Sequence, residues 1–115
     1  MNNMFSECSS LSTLDLSKFQ TQKVKYMGNM FSKCYSLLSL DLSNFQTQNV
    51  ENMECMFYDC NSLKKLNLLN FNINNLKNMK AMFYNLNVNC EIISNNQVIL
   101  RKNDEKYENI NQKID

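Results

Sequence analysis

Apolar positions recur along this chain at a fixed interval of 26 residues. Met4, Met30, Met56 and Met82 form one row, Phe5, Phe31, Phe57 and Phe83 the next, and Cys8, Cys34 and Cys60 a third. Behind them run Leu11, Leu37 and Leu63; Leu14, Leu40 and Leu66; Leu16, Leu42 and Leu68; and Phe19, Phe45 and Phe71. Self-similarity at about 20–50 residues is the mark of a solenoid, in which each unit buries its apolar face only against its neighbours. These rows are therefore the predicted structural core. One unit alone has too little apolar surface to offset the entropy of ordering it.

Within a unit the spacing changes character. Val50, Met53, Met56, Phe57 and Cys60 follow at intervals of 3, 3, 1 and 3, which predicts one face of a helix of about three turns. Asn49 or Thr47 stands before this run as N-cap, with Thr21 and Asn75 at equivalent positions. Leu63-x-x-Leu66-x-Leu68 then alternates as a short strand with one buried face. The fold class predicted is an α/β solenoid of about three and a half coils, with short parallel strands on one side and short helices on the other. The units run over about 1–26, 27–52, 53–78 and a degenerate 79–100.

In the last unit Met79, Met82 and Phe83 persist, while Leu86 stands where Cys is expected and Asn89 where Leu is. The alternation of Leu86, Val88, Cys90 and Ile92 predicts a final strand. Asn95-Asn96 would turn it into Val98-Ile99-Leu100, a C-terminal hairpin cap. From Arg101 charges mix and apolar residues thin out, so 101–115 reads as a polar tail or linker.

The stretch MFSKCYSLLSLDLSNFQTQNV resembles the BspA-like leucine-rich repeat family, whose units read like MFxGCxxLxxLDLSxFDTSxVxxM. The resemblance covers roughly 1–84. It implies a leucine-rich-repeat stack, cell-surface or secreted display, and adhesion to a protein or glycan ligand. Two departures stand out. Glu7, Lys33 and Asp59 occupy the slot where the family has Gly, so the turn there is made without glycine's left-handed freedom. FQTQ follows at Phe19 and Phe45, and Phe71-Asn72-Ile73-Asn74 in the third unit, where the family has FDTS.

Composition narrows the function classes. Twelve Lys+Arg against eleven Asp+Glu give a net charge of +1, which lays down no electrostatic footprint for nucleic acid or an anionic membrane. No run approaches the ~20 apolar residues of a membrane span, so no direct membrane insertion is expected. The N-terminus, MNNMFSECSS, lacks the basic and apolar regions of a secretory signal and starts inside the repeat. The chain is thus expected to be a fragment of a longer array or to have a frayed first coil. Asn is roughly one residue in five, mostly in the slots between apolar positions, as on a solvated coil surface.

Candidate chemistry is sparse. The five cysteines include the row Cys8, Cys34, Cys60 and the pair Cys55-x4-Cys60, but no His and no CxxC accompany them, as zinc would want. Packed, reduced thiols are expected, with inter-coil disulfides and a metal site as alternatives. No Cys-His or Ser-His pair is available, and the single Gly28 supplies no Gly-rich phosphate loop. The chain carries no candidate catalytic, metal-ligating or cofactor-binding residue, and a non-enzymatic module is expected.

Alternation along the strands aims Thr13, Asp15 and Ser17 outward, beside Ser39, Asp41 and Ser43 and then Lys65, Asn67 and Leu69. These nine residues are the candidate ligand face. Asp15 and Asp41 would be like charges one strand apart, with Lys65 placed to offset them. Tyr58 and Tyr84 share one position on successive units, where the first two have Ser6 and Ser32, and form either a small amphipathic patch or cover for the C-terminal end. The function expected is an interaction module that binds protein or glycan by its strand face. The alternatives are a passive spacer cut from a longer stalk and an intracellular scaffold.

Overall fold

The computed structural model describes residues 1–104, within an envelope of 32 × 32 × 24 Å. Three short strands, β1 (Ser39–Asp41), β2 (Lys65–Asn67) and β3 (Glu91–Ile93), form one parallel sheet in the order β1-β2-β3. Both pairings keep the 26-residue register: Leu40 lies opposite Leu66, and Leu66 opposite Ile92. The central residue of β1 and β2 is buried and its neighbours face out, so the strands are half-buried surfaces of the kind the alternation predicts. Ile92 replaces Leu in that row and is half-buried.

The expected helices are absent. Residues 27–34 and 53–60 fold as successive β-turns instead. Even-numbered amides close turns within the unit: Met30 N–H donates to Met27 O, Ser32 to Asn29 O, and Cys34 to Phe31 O. Odd-numbered amides cross to the next unit: Met27 N–H donates to Asn52 O, Asn29 to Glu54 O, Phe31 to Met56 O, and Lys33 to Tyr58 O. The same ladder links Met53, Cys55, Phe57 and Asp59 to Asn78, Lys80, Met82 and Tyr84. Half of this segment's backbone bonds therefore hold units together, which a helix would have spent on itself.

Two residues per unit take the left-handed conformation that makes this turn run possible. Asn3, Asn29, Cys55 and Ala81 form one row, with φ of 61, 56, 56 and 54°. Glu7, Lys33, Asp59 and Asn85 form the other, with φ of 62, 61, 60 and 58°. The second row begins with the three residues that fill the Gly slot of the resembled family, so the backbone there is left-handed without glycine.

The core runs through the rows read from the sequence. Met30, Phe31, Leu37, Leu42, Met56, Phe57, Cys60, Leu63, Leu66, Leu68 and Met82 are buried, as are Cys34, Leu40, Leu16, Phe45, Phe71 and Phe83. Phe5, Phe31, Phe57 and Phe83 stack face to face, with centroids 5.6, 5.8 and 5.7 Å apart. The first unit departs from the expected core. Met4 and Leu11 are exposed, and Phe5, Cys8, Leu14 and Phe19 are only half-buried, because no described unit lies on their outer side. No strand forms at Thr13–Asp15 among the described residues.

Thr21 and Thr47 do not cap helices. Both are buried and bridge to the following unit: the Thr47 hydroxyl donates to Asn72 O at 2.9 Å and accepts from Asn72 N–H at 2.7 Å, and Thr21 treats Gln46 likewise. Side-chain amides add a second set of rungs, from Asn49 to Gln22 O, Asn75 to Gln48 O, and Asn70 to Ser43 O. Much of the asparagine thus braces the stack as well as coating it.

The C-terminal hairpin is also replaced. Val88 is exposed, β3 is confined to Glu91–Ile93, and a helix α1 (Gln97–Asp104) follows. Asn96 caps it, its Oδ1 accepting from the N–H groups of Val98 and Ile99. Ile99 is fully buried in the core cluster, so the helix covers the end that the hairpin was expected to close. Arg101 and Lys102 lie in its last turn, where the helix dipole favours cations. The expected tail from 101 is therefore helical as far as Asp104; its remainder, 105–115, lies outside the described residues.

Candidate functional site

The sheet gathers most of the candidate ligand face. Ser39, Asp41 and Lys65 project outward from β1 and β2, Asn67 is half-buried beside them, and Thr13, Asp15 and Ser17 are exposed on the first unit. A shallow depression of about 220 Å³ is lined by Ser39, Leu40, Asp41, Lys65 and Asn67. A neighbouring one of about 200 Å³ is lined by Leu14, Asp15, Leu16, Ser17, Asp41, Ser43 and Asn44. Asp41 borders both. Thr13 and Leu69 line neither, and Leu69 is exposed at the strand's far end.

Each acidic or amide residue in this row is pinned by its own chain. The Oδ1 atoms of Asp15, Asp41 and Asn67 accept from the backbone N–H two residues on, in Ser17, Ser43 and Leu69. Such Asx turns end β1 and β2, recur at Asp15 in the first unit, and fix the side chain's direction. Hydrogen bonds from the Ser17 backbone and side chain hold the Asp15 carboxyl below the usual carboxylate range. The Ser43 hydroxyl and backbone do the same for Asp41, with a further contribution from the Lys65 ammonium. Lys65 acts in this way on Asp41, and the register sets Glu91 opposite Lys65 on the next strand.

Glu91 and Ile93 continue the face by one strand, and sequence reading stopped short of them. Adding 26 to Lys65 and Asn67 would have found both.

The thiols are arranged for packing. None of Cys8, Cys34, Cys55, Cys60 and Cys90 is in a disulfide. Cys34 Sγ donates to Phe5 O at 3.1 Å and Cys60 Sγ to Phe31 O at 3.0 Å, so each thiol bonds back to the preceding unit. Burial, then the neighbouring thiol, pushes Cys34 up to about 11 and Cys60 up to about 12. Among the described residues no group of three or more Cys, Asp or Glu is placed to hold a metal, and no helix is long and apolar enough to cross a membrane.

A third depression, of about 340 Å³, lies on the turn side and is lined by Ser6, Glu7, Asn29, Ser32, Lys33, Cys55 and Tyr58. Tyr58 and Tyr84 stack with centroids 5.5 Å apart and planes 16° from parallel, which joins them into one aromatic patch.

No curated protein and no solved structure matches the chain. Residues 1–96 match a family model described as Mycoplasma protein of unknown function, DUF285. That match spans all four units and most of the chain's length, and the chain belongs to the DUF285 family.

Proposed function

We propose that this chain is a non-enzymatic interaction module, a leucine-rich-repeat solenoid of BspA-like type that docks a protein partner on its strand face at a cell surface. The observation that carries the reading is the row of outward side chains fixed in advance by Asx turns at Asp15, Asp41 and Asn67. A face already ordered loses little conformational entropy on docking. Lys65 lies opposite Glu91 and diagonal to Asp41, and alternating signs of this kind select a partner with the opposite pattern.

Two features favour a protein over a glycan here, and binding over turnover. Neither strand-face depression has an aromatic wall on which a sugar ring would stack, and both fall below the ~300 Å³ at which small-molecule pockets begin. The carboxyls are committed to backbone N–H groups and held ionised, and the buried thiols are held protonated. Neither set is poised for proton transfer or nucleophilic attack near neutral pH.

The test is biosensor binding of the full chain to a panel of purified extracellular proteins, repeated with Asp41→Lys and Lys65→Glu. A protein that binds the parent chain should lose at least tenfold in affinity to either variant while the melting temperature holds. Binding that survives both charge reversals, or no binding across the panel, would sink the docking reading and leave a spacer.

A further inference from the structure

The column Ser6, Ser32, Tyr58, Tyr84 has one rung per unit, flanked on each side by a row of left-handed residues. Tyr84 covers one face of the Tyr58 ring. The next rung along the column is Ser32, then Ser6, and neither has a ring with which to continue the stack. The turn-side groove opens at this step: Tyr58 lines it and Tyr84 does not. One face of Tyr58 is therefore an end wall, and beyond it the groove runs over buried Ser32 and half-buried Ser6, which carry no ring.

We propose that this groove is a binding subsite for a single pyranose ring, stacked on Tyr58 and hydrogen-bonded by Glu7, Asn29 and Lys33. The volume, about 340 Å³, reaches the lower end of the range for small-molecule sites. A pyranose has an apolar C–H face and a rim of hydroxyls, and the groove matches both. The aromatic wall receives the C–H face. Glu7 supplies acceptors, Lys33 donors, and the Asn29 amide one of each. Among the described residues the side chains of Glu7 and Asn29 hydrogen-bond to no other group, so both are available to a ligand. An aromatic side chain would satisfy the wall and leave that charged rim desolvated and unmatched. The subsite lies on the turn side and is independent of docking on the strand face.

Saturation-transfer NMR on the full chain tests it, with the methyl pyranosides of glucose, galactose, mannose and N-acetylglucosamine as probes and N-acetyltyrosine amide as competitor. Transfer from the protein to the ring protons of one face of at least one pyranoside is expected, weakened at least tenfold by Tyr58→Leu. Ser32→Tyr is the complementary variant: it trades the buried Ser32 hydroxyl at the groove floor for the missing ring and leaves Glu7, Asn29, Lys33 and Tyr58 in place. It should abolish the transfer while circular dichroism shows the chain still folded. Tyr84→Leu, behind the wall, and Asp41→Lys, on the strand face, should both leave the transfer intact. The proposal is overturned by no transfer to any pyranoside, by transfer that persists in Ser32→Tyr, or by binding of N-acetyltyrosine amide alone.

Discussion

The left-handed residues are where sequence and backbone pull hardest against each other. Outside glycine this conformation costs roughly 1–2 kcal/mol, least for Asn and Asp, whose short side chains hydrogen-bond locally. Asn3, Asn29, Asp59 and Asn85 fit that rule; Glu7, Lys33, Cys55 and Ala81 do not. Lys33→Gly should therefore stabilise the fold by about 1 kcal/mol, after allowing for the freedom glycine gains when unfolded. Asn29→Gly should gain less, and chemical denaturation of the two side by side checks the order. The thiols make a second prediction at this scale. A thiol whose folded value is raised stabilises the native state fully below its unfolded value of 9.0, and that stability drains away as pH climbs through about 11 for Cys34 and 12 for Cys60. Melting temperatures of the parent and of Cys60→Ala should accordingly converge between pH 8.5 and pH 11. At pH 8 iodoacetamide should label half-buried Cys8 first and Cys60 only on unfolding, as timed mass spectrometry would show.

At the scale of an element, the turn runs explain why a helix was the natural reading. Met27, Met30, Phe31 and Cys34 recur at 3, 1 and 3, and a helix and a chain of four-residue turns both bring such positions to one side. Apolar spacing reports which side faces the core and is silent on where the N–H groups go. The discriminating signal lies in Asn3, Asn29, Asp59 and Asn85, together with the Gly slot of the resembled family, since a helix interior has no use for a left-handed residue every fourth position. Thr47 departs from expectation for a related reason. A Thr before an apolar run reads as a cap, yet its hydroxyl is committed to the next unit's backbone. Thr47→Val keeps the shape and leaves Asn72 N–H and C=O without that partner, so a loss of about 1–3 kcal/mol is expected. Thr47→Ser, which retains the hydroxyl, should lose distinctly less. Equal losses in urea titrations would mean that the methyl group, and not the bridge, is what position 47 contributes.

For the molecule as a whole the register was legible because it is carried by identical residues 26 apart, and the strand pairs fall on it without a slip. The ends were harder to read, since a row of like residues says nothing about which of its members lacks a neighbour. Ile92 changes residue type while keeping its place, which hides the continuation of the face to Glu91, and the helix that follows has no equivalent in the earlier units. Position in the stack should then set the energetic weight of each rung. The amides of Phe5, Phe31 and Phe57 make the same bond to the next unit, at 2.9, 3.0 and 2.9 Å, yet the ring is half-buried in the first and fully buried in the others. Hydrogen exchange at Phe5 should be the fastest of the three, because its ring is only half-buried and its surroundings open at lower cost. Truncation follows the same logic. Phe57 stacks on Phe31 and Phe83, so Phe57→Ala opens a cavity across two interfaces and should cost about 3–5 kcal/mol, a large share of the ~5–15 kcal/mol of an ordinary domain. Phe5→Ala, at a half-buried ring, should cost clearly less, and Thr13→Ala on the exposed face less than about 0.5 kcal/mol. Denaturation midpoints that fall in the order Phe57, Phe5, Thr13 would establish that stability accumulates rung by rung through the phenylalanine ladder. Equal losses at Phe57 and Phe5 would mean that the rings are not coupled from unit to unit, whatever their stacking geometry.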